Sequence, residues 1–88
     1  MPKIEASPRF DKAFSKLEKR VRKAVERTIL LLSDNPRHPG LHVKRLKSTE
    51  AIYAARVSRG VRLTFEAIGE ETILLRSVGP HDSTLSKP

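Results

Sequence analysis

The sequence predicts an α+β fold, with a helical N-terminal part packed on one face of a mainly antiparallel sheet. From Phe10 to Leu32 the apolar residues recur at spacings of three and four, the period of a helix with one buried stripe. From Tyr53 onward apolar and polar residues alternate, the period of strands buried on one face. Turn residues then divide the second half into short segments of strand length.

Each element has a local cause. Pro2 to Ala6 forms a short first strand, with Ile4 its apolar residue. Ser7 followed by Pro8 starts a helix: the hydroxyl caps, and proline at the first helical position lacks an N–H that would have no partner there. Phe10, Phe14, Leu17, Val21, Val25, Thr28, Ile29 and Leu32 make one stripe, and Lys and Arg fill the other faces. Asp34-Asn35-Pro36 stops it, because the residue before proline avoids helical backbone angles. Periodicity alone allows one helix from Pro8 to Ser33, since no glycine or proline marks a break. A loop over Pro36 to Gly40 leads to a weak strand over Leu41 to Lys47, and Ser48 to Glu50 turns the chain. Tyr53 to Val57 and Val61 to Ala67 pair across Ser58-Arg59-Gly60. Gly69-Glu70-Glu71 connects to a last strand that runs into Ser77-Val78-Gly79-Pro80-His81-Asp82. Ser83 to Pro88 reads as a tail anchored by Leu85.

Composition narrows the chemistry. The 88 residues are expected to make one domain, 1–88, with one core and no buried cofactor. No apolar run approaches the roughly 20 residues of a membrane span, and no secretory leader is evident, so a cytoplasmic location is expected. The absence of cysteine removes disulfides, thiol nucleophiles and thiolate metal sites. His38, His42 and His81 are accompanied by no carboxylate cluster at ligand spacing, so no metal site is expected. Through Lys47 there are 13 Lys and Arg against 5 Asp and Glu, whereas from Ser48 onward the counts are 5 and 5. The whole excess of +8 therefore lies on the N-terminal half, a surface that attracts nucleic acid or an acidic protein segment. A lysine-rich solvated face is the plain alternative.

Register sharpens the site. Pairing Val57 with Val61 keeps both on the core and sets Arg56 opposite Arg62, their Cβ atoms about 4.5–5.5 Å apart. Pairing Phe65 with Leu75 places Thr64 opposite Arg76 and Arg62 opposite Val78, three residues before His81. Arg56, Arg62 and His81 are thus predicted at one end of the face away from the helices. Ile52, Leu74 and Val78 share that face, so the C-terminal tail is expected to cover part of it. Two like charges directly opposite are destabilising without compensation; a bound phosphate compensates, and so does Glu66 or Asp82.

Such a set suits metal-free RNA cleavage. The 2′-hydroxyl is the nucleophile, so the protein needs a base, cations for the phosphorane charge and an acid for the leaving 5′-oxygen. Arg62 is the candidate for transition-state charge, because a guanidinium holds phosphate through two donors. His81 is the candidate acid, with Asp82 as a partner that orients it. His42, Glu50 and Lys44 lie on or beside the preceding strand as possible bases. Lys44, Arg45, Lys47 and Arg76 are candidate RNA-binding residues that position phosphate without reading sequence.

In the order of these pieces the chain resembles the RelE/ParE superfamily of small bacterial toxins from toxin–antitoxin modules. The resemblance rests on the Lys44-Arg45-Leu46-Lys47 segment, the strand at Tyr53 to Val57, Gly60-Val61-Arg62-Leu63-Thr64-Phe65, and Ser77-Val78-Gly79 before the last functional position. It implies an N-terminal helical hairpin on a four- to five-stranded sheet, and on that ground the long helix is divided near Leu17 to Arg20. It also implies a ribosome-associated mRNA endoribonuclease that inhibits translation and is neutralised by a cognate antitoxin, without cofactor. Arg62 then matches the phosphate-stabilising arginine, His81 the terminal acid, and Arg56 one of two strand lysines. Leu85 falls near an aromatic position that stacks on substrate. Ala54 stands where the second strand lysine would be, and no aromatic follows His81. These departures keep two alternatives open: a non-catalytic ParE-like toxin that binds a topoisomerase, and a basic RNA- or partner-binding module without nuclease activity.

Overall fold

The structure, a computed structural model, describes residues 2–46, 51–69 and 71–88. Strand β1 (Lys3–Ala6) leads into helices α1 (Pro8–Ser15) and α2 (Lys19–Asp34). A 3-10 turn at Pro39–Leu41 and the two-residue strand β2 (Lys44–Arg45) follow. Then come β3 (Ile52–Ser58), β4 (Val61–Ile68), β5 (Thr72–Pro80) and a short helix, α3 (His81–Ser86). Among the described residues the sheet has five strands, in the order β1-β5-β4-β3-β2. It is mixed: β1 runs parallel to β5, and the other three pairs are antiparallel.

The first helix starts as its cap predicts. Ser7 Oγ accepts the Phe10 N–H at 3.1 Å and donates to the Arg76 carbonyl at 3.2 Å, tying α1 to β5 as well as capping it. The chain breaks between Ser15 and Lys19 with no glycine or proline to mark the site. Dimensions supply a reason. A single helix from Pro8 to Ser33 would be roughly 39 Å long at the standard rise, whereas the molecule's longest extent is 32 Å. Much of such a helix's apolar stripe would overhang the sheet. Glu18, with extended angles of φ −59° and ψ 147°, redirects the chain so that both segments bury their stripes. Phe10 from α1 and Val25 and Leu32 from α2 join Ala55, Leu63, Phe65, Ile73, Leu75 and Val78 in one core.

Other expectations are corrected. Leu41 belongs to the 3-10 turn and is buried, so the strand expected over Leu41 to Lys47 shortens to Lys44–Arg45 among the described residues. Lys47 and the turn at Ser48 to Glu50 lie outside the described residues, as does Glu70. The tail is not a simple extension. It forms α3, and its buried side chain is Thr84, with Leu85 only half-buried.

Two β-bulges change the register. Ser58, rather than Val57, pairs with Val61, and Arg59-Gly60 alone form the turn. Val57 is the extra residue, which lets a two-residue turn close the hairpin. In β5, Phe65 pairs with Leu75 as predicted, but Thr64 pairs with Ser77 and Arg62 with Gly79. Arg76 is the extra residue there. Every residue after it is displaced by one position, so Val78 pairs with Leu63 and enters the core instead of the outer face.

Candidate nucleic-acid interface on the outer face of the sheet

The face away from α1 and α2 carries the candidate site, and cross-strand pairing identifies its members. Arg56 and Arg62 are directly opposite. One row along, Lys44, Ala54, Thr64 and Ser77 follow each other across β2, β3, β4 and β5. A row further, Ile52, Glu66 and Leu74 do the same. Residues paired across antiparallel strands share a face, so these rows lie on one surface.

Helix α3 covers part of that surface. The His81 N–H donates to the Gly60 carbonyl at 2.9 Å, fixing the start of α3 beside the β3–β4 turn. The chain then returns along β4 and β5, where Thr64 Oγ1 and Arg76 Nε both donate to the Pro88 carbonyl at 3.1 Å. Arg9 donates to the Lys87 carbonyl and holds the same segment from α1. Thr64 and Thr84 are buried as a result. The tail thus covers part of the outer face, as expected, although through Thr84 and backbone carbonyls.

The predicted residues do not all fall together. Arg56, Arg62 and His81 lie at one end of the outer face: Arg56 is opposite Arg62, and His81 is bonded to Gly60, two residues before Arg62. Arg62 is partly engaged, because Nη1 donates to the carbonyls of Ser58 at 2.7 Å and Val61 at 3.1 Å. This holds the guanidinium beside the turn. Its Nε and Nη2 have no protein acceptor among the described residues, and Arg56 has none for any of its donors. His81 Nδ1 lies 3.0 Å from Asp82 Oδ1, and the imidazole side chain is 45% exposed. With Nδ1 directed at a carboxylate, Nε2 is the nitrogen turned toward any ligand. Asp82 is thus in contact with the imidazole.

Arg76 stands apart. It pairs with Glu66 at 3.3 Å and with the Pro88 carbonyl, so its charge serves the packing of the tail. Arg45 is opposite Tyr53, whose ring stacks on Phe65 at 5.6 Å on the core side, so the register puts Arg45 on the other face. Tyr53 is half-buried and, with Phe65, Val43 and Arg37, also lines an open cleft on that side. His42 follows the 3-10 turn in a left-handed conformation with φ 46° and is exposed, lining a cleft with Pro36, Arg37 and His38. Glu50 and Lys47 lie outside the described residues. Lys44 reaches the outer face through its pairing with Ala54. Thr84 was not singled out in the sequence, and Gly79 only within the Ser77-Val78-Gly79 motif, yet they seat α3 beside Arg62. Among the described residues, no three His, Asp or Glu side chains gather to hold a metal ion.

No family model matches this sequence, and no curated protein does. Solved structures do. A chain of the Escherichia coli RelBE toxin–antitoxin complex superposes with a TM-score of 0.74 at 23% identity, covering 93% of this chain and 99% of that one. YafQ from E. coli strain BL21(DE3) gives 0.76 at 19% identity, covering 94% and 97%. The archaeal RelE–RelB complex from Pyrococcus horikoshii gives 0.75 at 18% identity, covering 92% and 96%. The chain shares the fold of these three structures over nearly its full length.

Proposed function

We propose that this chain is the toxin of a toxin–antitoxin module and acts as a metal-independent mRNA endoribonuclease on the translating ribosome. The observation that carries the reading is the placement of Arg62 opposite Arg56 with His81 pinned to the same sheet end through Gly60. Two guanidinium groups side by side repel one another until an anion sits between them, and a phosphodiester is such an anion. The 2′-hydroxyl of the substrate gives its proton to a solvent water as its oxygen attacks phosphorus, forming the P–O2′ bond while the P–O5′ bond breaks. Arg62 and Arg56 stabilise the charge on the non-bridging oxygens. His81 gives its Nε2 proton to the departing 5′-oxygen, and Asp82 holds the imidazole in position. The products are a 2′,3′-cyclic phosphate and a 5′-hydroxyl. A cognate antitoxin is the natural partner, because the chain's +8 charge meets an acidic segment and two of the structural neighbours are toxin–antitoxin complexes from E. coli and an archaeon.

Induction of the protein in cells, with mapping of new mRNA 5′ ends on and off ribosomes, tests this. Cuts confined to ribosome-covered mRNA are the expected result. Growth arrest without new ends would replace the reading with its rival, a ParE-like toxin that binds a topoisomerase. Ala54, only 2% exposed at a position where a strand lysine would serve cleavage, is the feature that favours that rival.

A further inference from the structure

We propose that Lys44 completes a phosphate-binding track across β2, β3 and β4, placing on the edge strand the positive charge that Ala54 leaves out of β3. Its ligand is the backbone of single-stranded RNA. The inference rests on the ribonuclease reading and names the residue that holds the strand beside the scissile phosphate.

Lys44 is directly opposite Ala54, and Ala54 is directly opposite Thr64 on the outer face. Two residues along β3, on the same face, stands Arg56, with Arg62 opposite it. Diagonal neighbours in such a ladder are about 7–8 Å apart, within reach of long side chains. Ala54 is 2% exposed, so a lysine there would bury its own stem and drag its ammonium away from water. One strand over, Lys44 is exposed and brings an ammonium to the same row from the open edge.

The other cations of this face are already committed. Arg76 is paired with Glu66, and Lys3 with Glu5 at 3.4 Å. Among the described strands, the outer-face basic residues without a carboxylate partner are Lys44, Arg56 and Arg62. They occupy three adjacent strands, spaced about 4.7–4.9 Å apart. Helix α3 bounds the row on the β5 side, where Thr84 sits over Gly79 opposite Arg62. On the opposite side the row ends at the exposed Lys44 of the edge strand, from which an RNA strand would approach Arg56 and Arg62. An edge strand also gains from a lysine that discourages pairing with other chains. That role predicts no change in RNA binding when the charge is removed.

Fluorescence anisotropy with a labelled, fully 2′-O-methylated single-stranded RNA separates the two, because this probe cannot be cleaved. The logarithm of affinity is measured against the logarithm of salt concentration. Lys44→Ala should lower the magnitude of the slope by about 0.7, the value for one neutralised phosphate on a single strand. Lys44→Arg should keep the wild-type slope. Lys12→Ala, which removes one charge from α1 on the far side of the sheet, should keep it too. A wild-type slope in Lys44→Ala overturns the inference, and so does an equal drop in Lys12→Ala, which marks net charge alone. Failure of the ribonuclease reading appears separately, as an absence of new mRNA ends on induction of the wild-type protein; the slopes still decide Lys44.

Discussion

A β-carbon added to Gly79 would stand 3.1 Å from the hydroxyl of Thr84, which packs over it from α3. Gly79 also has φ 157°, a conformation that residues with side chains rarely adopt. The glycine lets the final strand pass beneath the helix that borders the arginine pair. Gly79→Ala is expected to cost on the order of 1–3 kcal/mol. Thermal melting followed by circular dichroism should fall by about 4–8 °C per kcal/mol for a domain of this size. An unchanged melting temperature would mean that α3 yields freely.

Arg62 has two duties, and they separate by substitution. Its Nη1 donates to the Ser58 carbonyl at 2.7 Å, so Arg62→Ala should lose about 1 kcal/mol of stability. It should also abolish mRNA cleavage. Arg62→Lys retains the charge without the fork, and is expected to fold well yet cleave poorly. Cleavage at the wild-type rate by Arg62→Ala would remove this residue from the mechanism.

His81 differs, because its 45% exposed side chain makes no packing contribution that the fold requires. His81→Ala should melt within about 0.5 kcal/mol of wild type. Its cleavage rate should drop by about 10²–10⁴, the usual contribution of a positioned acid. Asp82→Asn should give a smaller loss in the same assay, since it disturbs only the orientation of the ring. Full activity in His81→Ala would refute its role as the acid.

Arg76 provides the contrast. Its pairing with Glu66 and with the Pro88 carbonyl is half-buried, and Arg76→Ala is expected to cost on the order of 1–2 kcal/mol. Hydrogen exchange should quicken in α3 before it changes in β3. RNA affinity in the anisotropy assay should keep its salt slope; a loss of slope would return Arg76 to the binding surface.

Local patterns foretold a good part of this molecule. The Ser7 cap, the stripe from Phe10 to Leu32, the stop at Asn35-Pro36 and the facing of Arg56 by Arg62 all follow from spacings within a few residues. Helix and strand periods are properties of the backbone, so they can be read without knowing what the chain packs against. The arginine pair was legible although the turn was not: the bulge at Val57 takes up the residue that the shorter turn releases, so Arg56 still faces Arg62.

Features that depend on distant partners were not legible. The break after Ser15 reflects the width of the sheet beneath the helices. The bulge at Arg76 arises where β5 must satisfy β4, the Glu66 carboxylate and the Pro88 carbonyl together. It sends Val78 inward and Ser77 outward, which no alternation pattern announces. Parallel pairing of β1 with β5 joins segments about seventy residues apart, as Lys3 opposite Thr72 illustrates. Lys44 acquires its place beside Arg56 only because β2 pairs in one register with β3. Side-chain periodicity is thus encoded along the chain, whereas the face a charge finally occupies is settled by which strands meet and where one of them bulges.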